Sequence, residues 1–188
     1  FIFMTNWFIW GIVGIIAVII IIFIAYYNKF VVKGNRIDNS LAQIDVQLKR
    51  RSSLIPNLVE AVKGYMKHEK GVLTEVTKAR TALMDAKNPH EAAKADNMLT
   101  GALKSLFAVA EAYPNLRASE NFKQLQDEIS DTETKVAAAR QFYNTNVLDL
   151  NNNLETIPST WIGSMFGFKK EEFFKASEEE KKDIEVKF

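Results

Sequence analysis

Two histidines, His68 and His90, are the only imidazoles in 188 residues, and the chain has no cysteine. His68 is followed directly by Glu69, and a histidine and a carboxylate acting together could activate water for hydrolysis. Adjacent residues on a helix point to different sides, however, and the i, i+4 spacing by which two side chains hold one metal is missing. The pair is therefore expected to be a polar patch, and His90, in the first turn of its helix, a surface position. Without thiols, disulfides, thiolate metal sites and lipidated cysteines are all unavailable. No glycine-rich phosphate loop and no paired-carboxylate signature is present. The expectation is a protein that is not an enzyme, with no catalytic residue, no cofactor, no metal and no small-molecule substrate. A hydrolase using His68 and Glu69 is the remaining chemical alternative.

The densest basic cluster is Lys49-Arg50-Arg51. Arg51 falls on an apolar seam and needs an acid there, with Glu111, Glu133 and Asp45 as candidates. An ion pair inside a helical bundle, fixing register at little net gain in stability, is the favoured reading; docking of an acidic partner is the alternative. Over the whole chain 24 basic and 23 acidic residues nearly balance, at a net charge of +1. Phosphate binding wants a concentrated basic excess, so no nucleic-acid partner is expected. Polar residues gather again at Arg140, Asn144, Asn146, Asn151, Asn152 and Asn153, a run that weakens a helix.

The elements that must position these groups begin with an anchor. Phe1 to Asn28 contains no charged side chain, and the run Trp7 to Tyr27 spans roughly 32 Å as a helix, enough for a hydrocarbon core of about 30 Å. Trp7, Phe8 and Trp10 at one end and Tyr26 and Tyr27 at the other suit the headgroup levels. A cleaved signal peptide would need a basic leader, a shorter apolar stretch and a small-residue cleavage site. A buried helix of a soluble protein is the other alternative. Lys29, Lys33 and Arg36 come directly after the run, so the positive-inside rule keeps the adjoining bundle in the cytoplasm and puts the short N-terminus outside.

From Ile37 the apolar positions alternate at spacings of four and three: Ile37, Leu41, Ile44, Leu48, Ile55, Leu58, Val62, Tyr65, Val72, Val76, Ala79 and Leu83. Such a stripe specifies a packed seam. Pro56 lies within it and removes the hydrogen bond to the carbonyl of Ser52. Because the register passes Pro56 in phase, one long helix over 36–86, kinked at 52–56 and roughly 72 Å from Ile37 to Met84, is favoured over a new helix starting at Pro56. Ser52 and Pro56 are thus a candidate hinge. Asn88 and Pro89 open a second helix, 89–113, and Ser119 a third, 118–157, which Pro158 ends. Short connections between such helices give an all-α fold: a single N-terminal transmembrane helix followed by an antiparallel bundle of three to four long helices.

Three regions result: an anchor with a short external terminus at 1–28, a bundle at 29–158 and an aromatic-rich segment at 159–188. In the last, Trp161, Met165, Phe166, Phe168, Phe173 and Phe174 crowd a stretch interrupted by Gly163 and Gly167. These rings either fold back as an apolar cap or form an interface with the membrane surface or a partner. A helical turn is expected at Ser177 to Lys182 and an extended stretch at Glu185 to Phe188.

The blocks Ile44-Asp45-Val46-Gln47-Leu48-Lys49-Arg50-Arg51, Leu54-Ile55-Pro56-Asn57-Leu58-Val59 and Val62-Lys63-Gly64-Tyr65 with His68-Glu69 closely resemble the LemA family of bacterial membrane proteins. So do Ala79-Arg80, Glu111-Ala112-Tyr113-Pro114-Asn115-Leu116, Glu120-Asn121-Phe122 with Leu125-Gln126, Arg140 with Phe142-Tyr143-Asn144, Phe166-Gly167-Phe168 and Val186-Lys187-Phe188. Ser53 stands where the family usually has an acid, and Ala42 where a tryptophan is common. The resemblance implies a single-pass anchor, a small external terminus and a helical cytoplasmic bundle, and it implies no activity. The expected role is a scaffold of the bacterial cytoplasmic membrane. It would touch lipid through its anchor and bind either further copies of itself or another membrane-associated protein. The alternative is an envelope sensor working through the long helix.

Overall fold

The computed structural model describes residues 2–174, with side chains from Trp7 onward. The turn expected at Ser177 to Lys182 and the extended stretch at Glu185 to Phe188 lie outside the described residues. Within them the fold is all-helical, with α1 (Ile2–Lys63), α2 (Lys70–Asp85), α3 (Pro89–Ala110), α4 (Pro114–Ala118), α5 (Glu120–Glu155) and α6 (Ser159–Met165). The chain divides into two compact units, Phe1–Asn39 with Asn144–Phe173, and Ser40–Tyr143 with Phe174–Phe188.

In the second unit the core is the seam of the sequence made solid. Ile44, Leu48, Ile55, Leu58 and Val62 of α1 are buried, as are Val76, Ala79 and Leu83 of α2 and Leu99 and Leu106 of α3. Leu116 of α4 and Phe122, Leu125, Ile129 and Val136 of α5 complete it. α2 packs on α3. Asn88 caps α3: its side chain accepts from the Glu91 N–H at 2.8 Å, while Glu91 accepts from the Asn88 amide and the Lys87 N–H, each at 2.9 Å. Two carboxylate hydrogen bonds at a helix N-terminus hold the Glu91 carboxyl below its ordinary range, the Lys87 N–H bond being the larger cause.

The helix expected over 36–86 is two helices. α1 ends at Lys63 and α2 starts at Lys70, with a turn over 64–69. Tyr65, an expected seam residue, is 46% exposed, and Met66 is buried in its place. The cause is a chain reversal over 64–69, which opens at Gly64, a poor helix former. α2 folds back along α1, as the Arg80 to Ser52 hydrogen bond at 3.1 Å requires, so the seam is a hairpin and not a rod. Apolar period cannot register such a reversal, because an antiparallel neighbour presents the same spacing.

Pro56 does not start a helix. It is exposed and lies inside α1. A proline here leaves the carbonyl of Ser52 without its helical partner, and Arg80 Nε of α2 donates to that carbonyl. The helix expected over 89–113 stops at Ala110, and a separate single turn, α4, begins with Pro114. Proline suits a first helical position.

In the first unit α1 continues through Gly34 without a break, and Phe30 and Ile37 are buried with Val147, Leu150 and Ile162. Residues 7–22 are exposed throughout. This apolar stretch is long enough to cross a membrane, and among the described residues none of it is buried.

Candidate functional site

Three features of the described residues hold polar or apolar groups in unusual positions. The first is a buried charge centre in the second unit. Arg51 of α1 is 1% exposed, and its Nη1 donates to Asp96 Oδ1 at 2.7 Å and to Thr100 Oγ1 at 3.0 Å, both on α3. Arg140 of α5 forms an ion pair through Nη2 with the other Asp96 oxygen at 2.9 Å and donates to Asn97 Oδ1 at 3.2 Å. Glu133, half-exposed, lies 3.5 Å from Arg51 Nη2. Asp96, 2% exposed, therefore pairs with two guanidiniums at once, and Glu133 supplies the second negative charge. The Arg140 guanidinium also lies 4.9 Å from the Phe174 ring centre, and Phe174 meets Tyr143 edge-on at 6.3 Å.

Of the three acids expected for Arg51, the structure supplies Glu133 as a secondary partner. Asp45 is on the same helix in another groove, where partial burial raises its carboxyl pKa. The principal partner, Asp96, was readable as a polar residue flanked by Ala93, Ala95 and Leu99 on the buried stripe of α3. The centre ties three helices together, and among the described residues Arg51 Nε and Arg140 Nε have no hydrogen-bond partner.

The second feature is an aromatic clamp in the first unit. α6 ends in a left-handed turn: Gly167 has φ of 75°, its N–H donates to the Ser164 carbonyl at 3.2 Å, and the Phe168 N–H donates to the Gly163 carbonyl at 3.0 Å. These two bonds make a Schellman cap, which glycine forms without steric cost. The turn sends Phe166 and Phe168 onto α1, where Phe166 meets Tyr27 at 4.9 Å and Phe168 stacks on Phe30 at 5.0 Å. Gly163 sits so close that a Cβ there would lie 2.6 Å from Leu154 Cδ2 and 3.3 Å from the Phe30 ring. Beyond the turn, Asn151 of α5 acts as a strand would. Its amide donates to the Glu171 carbonyl at 2.9 Å and accepts from the Glu171 N–H at 3.0 Å. That role for one asparagine of a polar run has no signature in sequence.

The expected aromatic segment therefore splits. Phe174 is buried and Phe168 half-buried, while Trp161, Met165, Phe166 and Phe173 are exposed. Trp7, Phe8, Trp10 and Tyr27 are exposed along α1, with Tyr26 half-buried. His68 and His90 are on the surface. Glu69 accepts from the Tyr113 hydroxyl at 3.4 Å, and burial, then the Glu69 charge, raises the Tyr113 pKa. Among the described residues no group of three or more metal-ligating side chains comes together.

The third feature is a groove of about 1140 Å³ between the C-terminal turns of α1 and the facing side of α2. Val59, Met66 and Leu73 form an apolar floor, and Lys63, Lys67, Lys70 and Lys78 rim it against one acid, Asp85. The hydroxyls of Thr74, Thr77 and Thr81 donate to carbonyls of their own helix at 2.7, 2.8 and 3.0 Å. Their polar groups are thus satisfied locally.

Comparison with known proteins matches residues 40–188 to the LemA family. The chain belongs to the LemA family. Over 163 residues it is 27% identical to Protein LemA of Metamycoplasma hominis, covering 85% of this chain and 73% of that protein. It is also similar to Magnetosome protein MamQ 2 of Paramagnetospirillum magneticum, 22% identical over 174 residues, and to Magnetosome protein MamQ of Magnetospirillum gryphiswaldense, 21% identical over 174. These two alignments cover 79% of this chain and 64% of each relative, so the chain spans less than two thirds of the magnetosome proteins' own length. None of the three names denotes an enzyme. The blocks that carry the LemA resemblance include Arg51 and Arg140 of the charge centre, Pro56 and Arg80 of the hairpin and Phe166-Gly167-Phe168 of the clamp. In this LemA-family chain those motifs are accounted for by packing and capping.

Proposed function

We propose that this chain is a non-enzymatic, single-pass scaffold of the bacterial cytoplasmic membrane, with its N-terminus outside and its bundle in the cytoplasm. The observation that carries the reading is α1, one unbroken helix that passes from an exposed apolar run into a buried seam. Nine exposed isoleucines lie between Ile9 and Ile24. At about 0.5 kcal/mol each they favour insertion by roughly 4–5 kcal/mol. Lys29, Lys33 and Arg36 at the end of the run support the orientation.

The surface such a scaffold offers is the lysine-rimmed groove. Its apolar floor and four cations match an amphipathic helix with an acidic flank on a partner protein. A photo-crosslinking residue at Thr77 in the full chain, expressed at native level in membranes, tests this. The expected result is an adduct that disappears when Lys63 and Lys67 are changed to glutamate. An adduct of twice the chain's mass would mean a second copy instead, and no adduct at all would remove the scaffold reading.

One second reading is an envelope sensor working through α1, which runs from Ile2 to Lys63 past Gly34 and Pro56. Replacing Pro56 with alanine discriminates: a scaffold tolerates it, whereas a hinge at Ser52 and Pro56 loses its response.

A further inference from the structure

The aromatic clamp leaves apolar groups facing outward beside the apolar run. Trp161 is 68% exposed and Met165 61%, on a helix whose other side, at Ser159, Ile162 and Gly163, is buried. Phe166 forms one wall of a groove whose other walls are Ile19, Ile20, Phe23, Ile24 and Tyr27. Those positions cover about 12 Å of helix rise, all inside the run that the proposed function places in lipid. Any placement of that run in a bilayer therefore carries Phe166 to the edge of the hydrocarbon and α6 to the headgroup level. The surroundings fit that depth. Lys29 lies over the Tyr26 ring at 5.8 Å, and Lys169 and Lys170 come just after the clamp, Lys170 paired with Glu155. Cations beside aromatic rings are the usual furniture of the interface.

We propose that α6 and the Phe166-Gly167-Phe168 turn are a second lipid contact, lying in the headgroup–acyl boundary of the leaflet where the apolar run ends. Trp161 and Met165 enter the boundary, and Phe166 closes against the span. The occupant is lipid because the exposed face is continuous with the span: the groove wall of Phe166 and the lipid-facing wall of Ile19 to Ile24 are one surface. A short segment docked in this way needs a rigid seat, and the glycine cap, the Phe168 stack on Phe30 and the Asn151 bonds to Glu171 supply it. The proposal rests on α1 being the membrane span.

The test uses the full chain reconstituted in vesicles of phosphatidylcholine and phosphatidylglycerol. In the variant Trp7→Phe, Trp10→Phe, Trp161 is the sole tryptophan; Trp161→Phe leaves the other two as reporters of the span. Lipids brominated near the top of the acyl chain should quench about half of the Trp161 emission, as for a ring about 5–10 Å below the surface, and aqueous iodide should quench little. Trp161 quenched by iodide and not by bromolipid overturns the proposal, and so does Trp161 shielded from both, since protein would then cover it. If the Trp7 and Trp10 reporters also escape bromolipid, the span itself is wrong; if they are quenched while Trp161 is not, only the second contact fails.

Discussion

Changing Asp96 to alanine removes the carboxylate partner of the buried Arg51 guanidinium and of the partly buried Arg140 guanidinium. At an effective dielectric of about 20, unit charges at the 2.7 and 2.9 Å separations of Arg51 and Arg140 from Asp96 attract by about 6 kcal/mol each before desolvation. Dehydrating the three groups offsets much of this, and truncating one member of a buried pair costs about 3–5 kcal/mol. Sharing between two arginines places Asp96→Ala in the upper part of that range, and Glu133, 3.5 Å away and half-exposed, recovers little. At about 2–4 °C per kcal/mol, the midpoint of thermal unfolding should fall by roughly 10–20 °C. The assay is thermal and urea unfolding of the full chain in detergent micelles, monitored by circular dichroism. Lys135→Ala, which breaks the exposed pair with Asp131, is the control and should cost about 0.3–0.5 kcal/mol. Replacing all three charges, as Arg51→Met, Asp96→Leu and Arg140→Met together, should restore most of the loss, because apolar residues of similar volume fill such sites as well as ions do. An Asp96→Ala chain within about 1 kcal/mol of the parent would refute the account of the charge centre.

Other consequences are smaller and separable. Gly163→Ala should cost about 1–3 kcal/mol through its collision with Leu154 and Phe30, whereas Gly101→Ala, in open space inside α3, should gain about 0.5–1; urea midpoints compare them. Arg80→Met should destabilise by about 1–3 kcal/mol by orphaning the Ser52 carbonyl. In a Pro56→Ala background the same change should cost under about 1, since the alanine N–H then bonds that carbonyl, and a double-mutant cycle reads the difference. The Glu91 carboxyl is held below its ordinary value of 4.5. Its contribution to stability is therefore fully present above that value and lost as pH falls through the lower folded-state value. Glu91→Gln should remove that part of the acid dependence in unfolding midpoints measured from about pH 5 to 3.

Much of the fold was legible because it depends on local chemistry. The uncharged run from Trp7 to Tyr27 read as an apolar helix long enough to span because bilayer thickness and helix rise fix the length needed. The Asn88-Pro89 start of α3 and the Ser119 start of α5, whose Oγ accepts from the Phe122 N–H at 3.5 Å, are capping chemistry confined to four residues. The reversal at 64–69 was not legible, since a hairpin and a straight rod bury the same stripe.

By itself, then, the sequence determined the starts of α3 and α5, the apolar faces, the apolar run and the need of Arg51 for an acid. These stem from backbone capping, hydrophobic period and the cost of burying a charge, all properties of a few neighbouring residues. Only the tertiary structure decided which acid answers Arg51, which donor takes the carbonyl that Pro56 frees, and which aromatics stay outside. Asp96 is 45 residues from Arg51 and Arg80 is 28 from Ser52. Pairings at such distances are set by how whole helices pack, and no local pattern encodes them.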